Sequence, residues 1–243
     1  MVTDRMIVAT EKLRDDVEIF SKKLVSEGLV DCVYNPLKYA WDIHVSYLKM
    51  ASNRGAKTLL LGMNPGPHGM GQMGIPFAAT SVVREILGIS GIDVEQPSII
   101  HPKRPVIGLE YPREEVSGTR LWGLLAETYG DSERIFEKIF ILNHCPLMLL
   151  DGERATNITP DKISGDTVKK LLSRCDDHLL EVIGILNIEC VIGVGKFAER
   201  RAKSILKDSD VEVKGCWHPS PASPLANRNG GKDWKENVSS VLP

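Results

Sequence analysis

Four short apolar runs, at residues 58–63, 139–143, 190–194 and, more weakly, 211–217, constrain the fold more than any other feature of the chain. Each is the length of one strand and too short for a buried helix. The segments around and between them hold candidate helices at 79–87, 121–129, 166–186 and 196–206. Strands alternating with helices build a mostly parallel sheet whose two faces are covered, because parallel neighbours need a crossover and the crossover lies on the sheet. The expected fold is therefore α/β: a three-layer α/β/α sandwich around a central, mostly parallel four-stranded sheet. In such a sheet a ligand binds beyond the carboxyl ends of the strands.

The first 55 residues read as helical. Leu13, Val17, Phe20, Leu24 and Val25 recur at close to helical spacing over 10–29, Gly28 and Asn35-Pro36 interrupt the pattern, and a second helix is expected over 37–53. A chain of 243 residues fits one domain spanning 1–243, with 1–55 as its N-terminal helical part. The stretch 88–118 has little periodicity and many Pro, Gly and isolated charges, the signature of a long functional loop.

Several classes are excluded. No apolar run approaches the roughly 20 residues of a membrane helix, and from the polar start Met1-Val2-Thr3-Asp4-Arg5 no signal peptide is expected. Cys32, Cys145, Cys175, Cys190 and Cys216 are scattered and never form C-x-x-C, which argues against a disulfide framework, a zinc ribbon and a cysteine-ligated cluster. Neither metal nor cofactor is expected. Free thiols suit a reducing compartment, the cytoplasm of a bacterium or the nucleus of a eukaryote. The net charge of −2 leaves room only for a local basic patch.

Three segments carry candidate chemistry, each at the end of an expected strand. Gly62-Met63-Asn64-Pro65-Gly66-Pro67 continues through His68-Gly69-Met70-Gly71-Gln72-Met73-Gly74-Ile75-Pro76-Phe77, a stiff, shaped loop whose first polar side chain is Asn64. It lacks the Lys-Ser/Thr ending of a phosphate-binding loop. Asn143 in Asn143-His144-Cys145-Pro146 places a donor and an acceptor at a buried strand end. His218 leads the proline-stiffened run Trp217-His218-Pro219-Ser220-Pro221-Ala222-Ser223-Pro224. The sheet rule lets all three polar side chains converge.

In order and spacing these segments resemble the single-strand-selective monofunctional uracil-DNA glycosylases of the uracil-glycosylase superfamily, over about residues 37–234. The resemblance implies that Asn64 orients the attacking water and His218 donates to O2 of the departing base. It implies that Phe77 stacks on the flipped base, Asn143 reads N3 and O4, and Gly66 and Met70 line the wall beside C5, with room for a hydroxymethyl group. The DNA would be held by the Pro219-Ser220-Pro221 loop, Arg228, and Lys196 at a helix start; Arg200, Arg201, Lys203 and Lys232 lie nearby. Two departures stand out: Ala222 replaces an arginine common in relatives, and His68 an aromatic.

The reaction so implied is hydrolysis of a deoxynucleoside bond in single- or double-stranded DNA by a monomer, in base excision repair. An amide cannot act as a general base, so bond breaking must run ahead of water attack. No lysine in the motifs can form a Schiff base, which implies an abasic product and an uncut strand. The alternatives are a superfamily enzyme acting on deaminated purines such as xanthine and hypoxanthine, a hydrolase of free nucleosides, a non-catalytic lesion binder, and a dinucleotide-binding oxidoreductase. The last rests on Gly193-Val194-Gly195-Lys196-Phe197-Ala198 with Asp208 or Asp210.

Overall fold

A computed structural model describes residues 1–243. Its strands are β1 (Cys32–Tyr34), β2 (Thr58–Gly62), β3 (Ile139–Asn143), β4 (Met148–Asp151), β5 (Thr156–Ile158), β6 (Cys190–Val194) and β7 (Glu212–Cys216). Its helices are α1 (Val2–Ser26), α2 (Pro36–Tyr39), α3 (Trp41–Ala51), α4 (Met70–Met73), α5 (Val116–Tyr129), α6 (Ser132–Lys138), α7 (Asp166–Leu186), α8 (Lys196–Ile205), α9 (Pro224–Asn227) and α10 (Lys232–Ser239).

The four expected strands form one sheet in the order β3-β2-β6-β7, and every pair is parallel. All five residues of β2 and of β3 are buried, so both faces of the sheet are covered. The chain leaves β2 toward β3 on one side and returns to β6 on the other, which makes the carboxyl end of β2 the switch point where a crevice opens. The register pairs Gly62 with Asn143 at that edge.

The helices follow ordinary rules. Val168, Leu171, Cys175, Leu179 and Val182 give α7 one buried stripe, and Asn187 ends it in the left-handed conformation. Asp131 caps α6 by accepting from the Arg134 N–H at 2.9 Å.

Several sequence expectations change, among them the helix expected over 121–129, which starts earlier, as α5 at Val116. The first helix begins at Val2, not near residue 10, because Met6 and Ala9 extend its buried stripe. The expected helix 37–53 breaks at Ala40 into α2 and α3. The expected helix over 79–87 is present, but its main part, Val82–Ile86, is π-helical and not α-helical. A second, antiparallel sheet, β1-β4-β5, appears where no strands were expected; strands of three and four residues are too short for periodicity to register. The N-terminal part therefore contains a strand as well as helices. It is also no appendage, since Leu13, Val17 and Leu24 of α1 pack in one cluster with Leu171, Met70 and Cys145, beneath the loops that follow β2 and β3. Residues 88–115 hold only a 3₁₀ turn, Gly108–Glu110. No helix is long and apolar enough to cross a membrane.

Candidate active site

The strand ends are pinned together through their backbones. The His144 and Cys145 N–H groups donate to the Gly62 and Met63 carbonyls, each at 2.9 Å, and the Gly195 N–H donates to the Cys216 carbonyl at 2.8 Å. The three loops singled out in the sequence are thereby brought to one edge. There they line a cavity of about 390 Å³, whose walls include Asn64, Gly66, Met70, Phe77, Asn143, His218 and Ser220.

Asn143 is 5% exposed, and its Nδ2 donates to the Met70 sulfur at 3.1 Å. Its oxygen and the Phe77 ring both press on Gly62, where any Cβ would overlap them. A glycine at the end of β2 is thus a condition for seating these two side chains. Phe77 has φ +53°, a conformation that costs an aromatic residue about 1–3 kcal/mol. The first turns of α5 hold it there: Gly118 lies against the Phe77 carbonyl, and the Trp122 indole N–H donates to the Pro76 carbonyl at 3.3 Å. The Phe77 ring faces the His218 ring at 6.0 Å between centroids.

Burial lowers the His218 pKa from 6.5 to about 4, so the imidazole is neutral at pH 7. Its Nδ1 accepts from the Ser220 N–H at 3.1 Å, which leaves the proton on Nε2. The fixed element is a neutral Nε2–H donor at the cavity wall.

The glycine-rich loop is fastened from beneath. Gln72, 2% exposed, donates to the Pro67 and Pro105 carbonyls at 3.1 and 3.0 Å and accepts from the Ile107 N–H at 2.9 Å. His44 Nδ1 donates to the Gly74 carbonyl at 2.7 Å. The aperiodic 105–107 stretch is therefore a strut of the site.

The cavity also contains residues the motifs did not reveal: Glu115, Ser117, Asn157 and Thr159. Glu115 precedes α5; its carboxylate accepts from the His68 N–H at 3.3 Å and packs on Gly66. Burial raises its pKa, and the His68 N–H opposes that shift. A single carboxylate in a long loop gave no pattern to read. Asn157 and Thr159 come from β5 and the residues after it, outside the parallel sheet, so the strand-end rule could not reach them.

The residues expected on the DNA side are arranged differently from one another. Lys196 is exposed at the start of α8, Ser220 is half-buried in the cavity wall and Pro221 is exposed. Pro219 is buried, and its carbonyl accepts from Arg120 at 3.0 Å. Arg228 is exposed and paired with Asp233 at 3.1 Å, while Arg201 is engaged by Asp176 at 2.7 Å. Arg120, which no motif marked, also reaches Asn227 Oδ1 at 3.0 Å and clamps the loop after His218. Arg120→Ala is expected to lower the unfolding free energy by about 1–3 kcal/mol, read from a shifted urea midpoint at unchanged slope.

The G-x-G-x-x-A run after β6 has a local explanation. A Cβ at Gly193 would overlap the Glu199 backbone, and Gly195 lies against His218. These glycines serve helix–strand packing and the histidine loop.

Comparison with known proteins identifies the family. The family model described as "Uracil DNA glycosylase superfamily" matches residues 50–238. The chain belongs to the uracil DNA glycosylase superfamily. Within it, this member is 42% identical over 233 residues to the "single-strand selective monofunctional uracil DNA glycosylase" of Bos taurus, covering 95% of this chain and 84% of that protein. The Rattus norvegicus protein of the same description is 42% identical over 220 residues, covering 90% and 78%. The crystal structure of Pedobacter heparinus SMUG2 superposes with a TM-score of 0.63 at 16% identity, covering 86% of each chain, and shows the shared fold.

Proposed function

We propose that this chain excises uracil from DNA by hydrolysing the N-glycosidic bond of an extruded deoxyuridine, a step of base excision repair that leaves an abasic site. The observation that carries this reading is the convergence of Asn64, Phe77, Asn143 and the neutral His218 on one cavity, in a chain whose relatives are named for this activity.

The residues suit the reaction. Unstacking the base costs a few kcal/mol, and stacking on Phe77 returns about 1–3. The Asn143 amide offers a donor to O4 and an acceptor to N3–H; cytosine reverses that pattern and leaves buried groups unpaired. The C1′–N1 bond then breaks with its electron pair going to the base, and the charge reaching O2 meets the His218 Nε2–H. The sugar, now an oxocarbenium ion, bonds to the oxygen of a water that Asn64 orients, and that water's proton leaves to solvent. Gly66 and Met70, beside C5, allow 5-substituted uracils such as 5-hydroxymethyluracil.

Ser220, Pro221, Lys196 and Arg228 guide the strand across the cavity mouth, while Pro219, expected to share this role, is buried and instead shapes the loop from beneath. The tip of the 218–227 loop exposes Pro221, Ala222 and Leu225, with no arginine to probe a duplex. Single strands are expected to be cleaved faster than duplex.

A gel assay with 5′-labelled uracil oligonucleotides tests the reading without added metal. Alkali-labile sites and no break before alkali are expected. Release from xanthine or hypoxanthine oligonucleotides but not from uracil ones, or hydrolysis of free deoxyuridine alone, would replace it with one of the alternatives.

A further inference from the structure

Asn157 lies on β5, opposite Leu150 in the small antiparallel sheet, and its side chain enters the same cavity as Asn64. Its Nδ2 donates to the Pro65 carbonyl at 2.9 Å, and its Oδ1 accepts from Asn64 Nδ2 at 3.4 Å. This is the single hydrogen bond the Asn64 side chain makes within the protein.

A carboxamide has one donor end and one acceptor end. The Pro65 carbonyl only accepts, so Asn157 must turn its NH₂ toward it. The Asn157 oxygen then faces Asn64, and only the Asn64 NH₂ can meet it without setting two oxygens in contact. The remaining end of Asn64, its Oδ1, is left to the cavity. An acceptor there takes a hydrogen from a water molecule and leaves the oxygen lone pair free to bond to carbon. The flipped amide would instead donate to that lone pair and occupy the nucleophile. Proline 65 stiffens the carbonyl from which the sequence of orientations starts.

We propose that Asn157 is a positioning residue for uracil excision: through the chain Pro65 carbonyl, Asn157 amide, Asn64 amide, it fixes which end of Asn64 faces the attacking water. The proposal rests on the uracil-excision reading and predicts how that site is set. Asn157 touches neither base nor sugar in this role, so its loss should slow the chemistry and spare the binding.

A double-mutant cycle tests this with the full chain, using single-turnover cleavage of a single-stranded uracil oligonucleotide. Asn157→Ala is expected to slow cleavage by roughly tenfold to a hundredfold, as misoriented reacting groups do. Affinity for the same oligonucleotide carrying a non-cleavable 2′-fluoro-deoxyuridine should stay within about twofold, since only rate-specific interactions are lost. In an Asn64→Ala background, Asn157→Ala should cost nothing further. Asn157→Asp carries the same cycle should the alanine variant fail to fold. Its rate relative to the parent should also rise as pH falls, because a protonated carboxyl again has one donor for Pro65 and one acceptor for Asn64. Losses that multiply in the double mutant, weaker binding at unchanged rate, or an aspartate variant with a flat relative profile would each overturn the proposal. A parent protein inactive on uracil DNA would instead overturn the functional reading beneath it.

Discussion

His218→Ala is expected to lower the single-turnover rate of uracil release by about 10²–10³, with little change in affinity for uncleavable substrate. That is the usual effect of removing one preorganised donor from a developing anion, about 2.7–4 kcal/mol. The size follows from how completely the donor is prepared before substrate arrives. Burial keeps the ring neutral, with its pKa near 4; the Ser220 N–H takes Nδ1 and leaves the proton on Nε2; and Gly195 and Phe77 bound the ring on two sides. Nothing must reorganise when charge reaches the base. The same arrangement sets the sign of the pH dependence. A neutral donor is present throughout pH 5–8, so the His218 contribution should be flat there. It should change only as pH falls toward 4, when a proton on Nδ1 would oppose the Ser220 N–H. If the rate fell as pH rose through 6–7 and that limb disappeared in His218→Ala, an imidazolium would be the active form and this account would fail.

The parallel sheet was legible because buried strands are continuous apolar runs. β3, β6 and α7 fall on their expected bounds, β2 ends one residue early, and β7 is one residue shorter at each end. The rule that ligands lie past the carboxyl ends then located three loops, and the cavity unites Asn64, Asn143 and His218 from all three. What escaped had no periodicity to betray it. The β1-β4-β5 sheet consists of segments too short for alternation to show. Arg120, Gln72 and Asn157 act by bonding to backbone carbonyls far away in sequence, at Pro219, Pro105 and Pro65. No local pattern distinguishes such residues from a solvated arginine, a loop glutamine or a turn asparagine. Their partners exist only once the chain has folded. The departure at Ala222, and the doubt it casts on duplex penetration, were visible in the sequence; the structure adds that the loop tip is exposed and apolar.

Acid should unfold this protein in a window set by buried histidines, and His178→Met should shift that window. His44 and His178 are 3% and 1% exposed, and burial lowers their pKa values to about 4 and about 3 from 6.5. In the unfolded chain both return to about 6.5. The folded state therefore binds fewer protons below that value, and its stability declines as pH falls from 6.5 toward 4. At 1.36 kcal/mol per pH unit, each histidine withdraws about 3 kcal/mol by pH 4, together a large share of the 5–15 kcal/mol typical of a domain. Asp176 acts in a separate, more acid window. Its pKa is lowered by the bonds from His144 and Arg201 that outweigh its burial, so the stability it supplies is lost only below the ordinary carboxylate range. His178 is the informative position, because its Nδ1 is buried without a partner and its replacement breaks no bond there. Methionine is of similar size, apolar and adaptable. At pH 7 His178→Met should be neutral to slightly stabilising, whereas at pH 4.5 it should be more stable than the parent by about 2–3 kcal/mol. Urea titrations at the two pH values measure the difference directly. Equal acid sensitivity in parent and variant would mean that His178 is protonated in the folded state, through water reaching the interior beside α7.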